Sequence, residues 1–387
     1  MFHLLLAAIY LAFISLGLPD GMLGAAWPSM YPVFGVPISF AGIISMIIAL
    51  GTIVSSLFSD VVTAKFGTGK VTVISVAMTA LALLGFSVSN SMWMLCLIAI
   101  PYGLGAGSVD ASLNNYVAIH YTSRHMSWLH CMWGVGAATG PYIMGWVLSG
   151  GAHWSSGYRI VGLIQLVISA LLLLTLPMWK GRTGSDAGES GETKGLTPIQ
   201  VLKIPGAKEI MIAFFCYCAL EQTAALWATS YLALHKGVPQ ETAAFFGSMF
   251  YIGITLGRAV NGFLTIRFSD TQLIRMGQGI VLAGVAALLL PLGEIVSLVG
   301  LILIGLGCAP IYPCVIHSTP AHFGEEKSQA MVGVQMASAY TGILVMPPLF
   351  GLIANHITVA LMPLYLLGIL VLMAFMYERM LRILKAT

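Results

Sequence analysis

Three carboxylates stand inside long apolar stretches of this chain: Asp20, Asp110 and Glu221. A charged group at the centre of a bilayer costs at least about 2.5–3.5 kcal/mol on insertion scales, so intramembrane acids usually face a cavity and mark function. By position along its apolar run, no Lys or Arg matches their depth; Arg258 falls nearer one end of its own run. Burial without a cation disfavours the ionised form, so each acid is expected to take and release a proton near neutral pH. Proton coupling needs that chemistry. Paired acids with backbone carbonyls also suit sodium, which stays open as the coupling ion. No other cofactor or metal is expected. The six cysteines have neither zinc nor disulfide-framework spacing and read as small packing residues.

Polar and aromatic residues accompany the acids. In "GLGAGSVDASLNNYVA", Asp110 and Asn114 are four apart and share a helix face, with Asn115 beside them. In "WLHCMWGVGAATGP", His130 and Trp133 are three apart. In "CALEQTAALWATSYL", Glu221 and Gln222 are adjacent and Trp227 lies further on. Amides and carboxylates bond hydroxyls, and aromatic faces cover the C–H face of a sugar ring. The expected substrate is therefore a sugar or similar small polar solute.

The elements that position these groups must be membrane helices. Of 387 residues, 58% are hydrophobic and only 8% charged, against about a quarter charged in soluble domains. Twelve apolar runs of about 20 residues are long enough to span a bilayer. The chain thus reads as an all-α membrane protein of twelve transmembrane helices. The first run lacks a basic leader and cleavage site, so it is expected to remain as a span. Residues 180–206 form a Gly-, Ser- and charge-rich linker between six-helix bundles at 1–179 and 207–387. Fifteen of the 17 Lys and Arg fall on the linker side. That bias predicts both termini in the cytoplasm of a cell inner (plasma) membrane. Nothing resembles a nucleic-acid stripe, so the expected partners are the lipid bilayer and a small molecule, with a monomeric protein.

The two bundles are related by a constant shift of 202 residues. Gly51 falls on Gly253, Lys65 on Arg267, "GLG" at 103–105 on "GLG" at 305–307, and "TG" at 139–140 on "TG" at 341–342. Six spans per repeat keep the same orientation, so the repeats are parallel and a site is expected between them near the midplane. Asp20 maps onto Gln222, Asp110 onto Tyr312 and Trp133 onto Gln335. Acids in the first half thus face neutral hydrogen-bonding groups in the second. Tyr312 and Gln335 join the expected substrate site.

Twelve spans, a long middle loop and this repeat resemble the major facilitator superfamily. The loop "DVVTAKFGTGK" is a degenerate copy of that family's signature between helices 2 and 3: Lys65 and Gly67 match, while Ala64 replaces its Asp. The resemblance implies gating roles for Lys65 and its repeat mate Arg267. An acid in the first span, "GLGAGSVDASLNNYV" in the fourth and a Gly-rich fifth are similar to the fucose permease branch, which contains proton-coupled sugar symporters. That resemblance implies coupling by Asp20 and Asp110. His130 and Trp133 stand where the branch carries Gln and Asn. The alternative is a proton-driven exporter of amphipathic compounds, using the same acids in antiport. An intramembrane enzyme is the third class, and no nucleophile motif or catalytic domain supports it.

Overall fold

The computed structural model describes residues 2–121, 123–179 and 198–386. Without water to bond them, backbone N–H and C=O groups must pair within each segment, and all long elements are helices accordingly. In order they are α1 (Phe2–Gly17), α2 (Met22–Phe34), α3 (Phe40–Phe66), α4 (Thr68–Val88), α5 (Met92–His120), α6 (Ser123–Ser149) and α7 (Trp154–Leu174). The short α8 (Leu176–Trp179) and α9 (Pro198–Val201) flank the linker, of which residues 180–197 lie outside the described residues. The second half holds α10 (Ala207–Leu234), α11 (Gln240–Leu264), α12 (Asp270–Leu289), α13 (Glu294–Phe323), α14 (Glu325–His356) and α15 (Met362–Ala386).

Ten stretches among the described residues are long and apolar enough to cross a membrane, the first of them joining α1 and α2 over Leu4–Phe34. The 27-residue helices α3 and α6 bring the bundle to twelve crossings. Large apolar side chains such as Trp93, Leu174 and Phe263 are 76–80% exposed, which marks the lipid-facing surface.

Helices pair by the same scheme in each half: α3 with α5 and α11 with α13, α4 with α7 and α12 with α15, α1 with α6 and α10 with α14. Glycine lets these backbones approach, as membrane helices require when burial offers no hydrophobic gain. A methyl group on Gly103 would strike the carbonyl of Ile48, and one on its repeat mate Gly305 would strike the carbonyl of Phe250. Hydroxyls add to the first of these seams. Ser59 and Ser112 are 3.2 Å apart, Thr63 and Ser112 2.9 Å, and Ser55 meets Ser108 one turn away.

The halves meet through α6 with α11, α3 with α14, and α2 with α10 and α11. Their contacts gather at the end away from the linker. Ser29 donates to Gln240 at 2.5 Å, the Tyr142 and Phe245 rings lie 5.0 Å apart, and Gly42 closes on Pro348. At the linker end, the turns carrying Lys65, Phe66, Ile266 and Arg267 are exposed. Among the described residues, the halves therefore touch at the far end.

Candidate functional site

The first span is not one helix. Pro19 has no N–H to donate, and residues 18–21 form a tight turn in which Asp20 N–H reaches Gly17 O and Met22 N–H reaches Pro19 O. Asp20 sits on that turn, between α1 and α2. Glycines hold the turn against α6: a methyl on Gly17 would meet the carbonyl of Trp133, on Gly136 that of Ile14, and on Gly140 that of Leu18. This approach brings the Trp133 indole N–H to the Asp20 carboxylate at 2.6 Å. Asp20 is exposed although it lies mid-span beneath the far-end seal, where Gly21 touches Pro141 and Tyr251. Such exposure means that open space adjoins the carboxylate.

Arg258 corrects the expectation that no cation shares the acids' depth. From α11, its guanidinium stacks over the Trp133 ring at 4.8 Å from the centroid. The indole thus separates the two charges, with its edge on the carboxylate and its face on the cation. Tyr251 completes this wall, its ring 6.2 Å from that of Trp133 and edge-on to it. His130, one helical turn earlier on α6, is half-buried and edge-on to Phe13 at 5.9 Å.

The other acids are held separately. Asn114 donates to Asp110 at 2.9 Å along α5, and both are half-buried. Tyr217 donates its hydroxyl to buried Glu221, one turn away on α10. Asp110 and Glu221 lie close enough to Asp20 to act on it electrostatically. Tyr312 is half-buried, with its ring 5.1 Å from Phe214 and its hydroxyl 3.3 Å from the Met336 sulfur. Gln222 is half-buried next to Glu221.

Two expected substrate contacts are placed in packing instead. Trp227 is fully buried and donates to the carbonyl of Pro347 at 2.9 Å, tying α10 to α14. Gln335 is fully buried and accepts from Thr319 at 3.2 Å, between α13 and α14. The side chain of Asn115 lies outside the described residues. Lys65 and Arg267 are exposed at the two linker-end turns that the repeat relates. Arg258, Tyr217 and Tyr251 were not among the expected site residues. A signal existed for two of them: Arg258 is the one Lys or Arg inside the apolar run of α11, and Tyr217 is four residues before Glu221.

Among the described residues, no cluster of three or more His, Cys, Asp or Glu could hold a metal ion. A cavity of about 440 Å³ lies within the second half, lined by Thr271, Arg275, His322 and Lys385 among others. It is remote from Asp20, and its Arg275 is already paired with Glu378 at 2.6 Å.

Comparison with known proteins agrees with this architecture. The model of the Major Facilitator Superfamily matches residues 9–317 and 210–384. Bypass of stop codon protein 6 of Saccharomyces cerevisiae is 24% identical over 294 residues, which are 68% of this chain but 58% of the yeast protein. The 4-hydroxybenzoate transporter PcaK of Pseudomonas aeruginosa is 23% identical over 376 residues, covering 87% of this chain and 83% of that one. The structure of the nucleoside transporter NupG superposes with a TM-score of 0.80 at 13% identity, covering 97% and 98% of the two chains. With twelve crossings in two like halves and a polar site between them, this multi-pass membrane protein belongs to the major facilitator superfamily and is a transporter, not an enzyme.

Proposed function

We propose that the chain is a secondary transporter that couples proton entry to import of a small polar solute by alternating access. One observation carries the reading: Asp20 is solvent-exposed in mid-membrane, bonded to a neutral indole rather than to a cation. A carboxyl so placed can exchange protons with whichever side the cavity faces. Asp110, tied to Asn114, and Glu221, tied to Tyr217, are the further acids on the proton's route. The Lys and Arg bias assigns the linker end, and with it both termini, to the cytoplasm.

The substrate class in this reading is a sugar or similar hydroxylated solute, as in the fucose permease branch. Asn114, Gln222, His130 and Tyr312 supply polar contacts that are half-buried and so within reach of a solute. The names of PcaK and NupG, a benzoate and a nucleoside transporter, support a small polar ring-bearing cargo. The protein works as a monomer in the plasma membrane, with each monomer holding a complete site.

The test is uptake into proteoliposomes under an imposed pH gradient, acidic outside, with labelled monosaccharides. Accumulation that collapses with a protonophore and is lost in Asp20→Asn is the expected outcome. Uptake indifferent to the gradient would overturn proton coupling, and gradient-driven efflux of an amphipathic dye would favour the exporter instead.

A further inference from the structure

Arg258 has no anion. Among the described residues it makes no ion pair and no hydrogen bond. It is half-buried, and its guanidinium lies over Trp133. The ring contact uses no N–H acceptor, so the guanidinium donors remain unbonded. The backbone behind it is fixed, because Gly257 packs so closely on α13 that an added methyl would lie only 2.5 Å from the Ala309 Cβ. Its electrostatic neighbours come from three sides: His130 on α6, Tyr217 and Cys218 on α10, and Cys308 and Tyr312 on α13. Both halves thus contribute to its surroundings. Glu221, the acid on the same side, already accepts from Tyr217. Asp20 is held at the N–H edge of the same indole.

We infer that Arg258 is the recognition group for a solute carboxylate, and that among the small polar solutes proposed above the cargo is an organic monoacid, such as a sugar acid or a ring-bearing acid. The inference rests on the transport reading above and sharpens its substrate. A half-buried cation with no partner in the protein can accept an anion, and a bidentate carboxylate fits the guanidinium fork. One arginine in a site that also holds Asp20, Asp110 and Glu221 favours a single negative charge over a doubly charged phosphate. The Trp133 indole keeps Arg258 from collapsing onto Asp20, so the cation stays free for the solute. A proton on Asp20 and an anion on Arg258 bring no net charge between them. Their joint arrival lets the loaded site cross the membrane without moving charge.

Binding to the purified protein in detergent, with no gradient, tests the inference apart from transport. The probes are two acid and neutral pairs, glucuronate with glucose and benzoate with benzyl alcohol. Ligand-induced thermal stabilisation gives the affinity. At least one acid is expected to bind about tenfold or more tightly than its neutral partner. Arg258→Gln should remove that preference, and Arg258→Lys, which keeps the charge but not the fork, should restore part of it. Equal binding of acid and neutral partner, acid binding unchanged in Arg258→Gln, or no stabilisation by either acid at millimolar concentration would each overturn it. Should Arg258→Gln fail to fold, the acid preference of the wild type and its weakening in Arg258→Lys decide alone. Proton-driven uptake of glucose with no acid preference would leave the transport reading standing and remove the role of Arg258. Acid binding through Arg258 without any gradient-driven uptake would do the reverse.

Discussion

The two halves share a backbone plan and differ in chemistry. In the first, α3 and α5 close through glycines at 51 and 103 and a ladder of hydroxyls, Ser55, Ser59, Thr63, Ser108 and Ser112. In the second, the matching seam of α11 and α13 closes through Gly253, Gly257 and Gly305 against Ile302, Ala309 and Phe250, with no hydroxyl bond across it among the described residues. The first half brings Asp20 and Asp110 to the site, and the second brings Arg258 and the Tyr217–Glu221 pair. Close approach of backbones tolerates no substitution, so it persists across the repeat. Side chains facing the cavity are free of that constraint, so one half supplies Asp20 and Asp110 and the other supplies Arg258 together with Glu221.

The comparison breaks first at the glycines. Gly17→Val should place its side chain into the Trp133 carbonyl and separate α1 from α6. Loss of about 3 kcal/mol or more, or no folded protein at all, is expected by thermal unfolding in detergent. Gly279→Ala, with open space around it, should be nearly neutral on the same measurement. Asp20→Asn comes next: it should abolish uphill accumulation, while Asp110→Asn should lose accumulation yet spare solute exchange between the two sides. Counterflow assays separate these two results.

A bridge across the halves sharpens the comparison of their two ends. Ser29 and Gln240 touch at the sealed end. Replacing both by cysteine and oxidising should hold that seal, leave the linker end open to thiol reagents and stop turnover until reduction. Trp133→Phe keeps a ring for Arg258 but removes the N–H that Asp20 accepts, so a shift of about 1–2 kcal/mol in proton-coupled uptake is expected. The smallest effect belongs to the hydroxyl ladder. Ser59→Ala should cost about 1 kcal/mol in stability and leave coupling intact, because its bond to Ser112 lies within one half.

Much of the fold is legible along the chain because hydrocarbon thickness dictates span length and the backbone must pair within each span. The break in the first span was harder to see. "GLPDG" carries its breakers inside an apolar run, and helix prolines such as Pro28 and Pro141 are tolerated elsewhere in this protein. In the site, Asp20 and Trp133 were both legible as candidates, whereas their bond depends on glycines at 17, 136 and 140 letting two helices touch. Trp227 and Gln335 look in sequence like Trp133 and Gln222. Only packing separates a polar tip bonded within one half from one that faces the other half.

By itself, the sequence determined that this is a membrane protein of twelve spans in two parallel halves, with acids where lipid cannot solvate them and positive charge gathered on the linker side. The tertiary structure decided which face of each helix looks inward, that the halves seal at one end, and that Arg258 reaches Trp133 across the interface. Lipid and protein core are both apolar. The helices therefore carry little amphipathic pattern to orient them, and only the contacts of neighbouring helices set their rotation and depth.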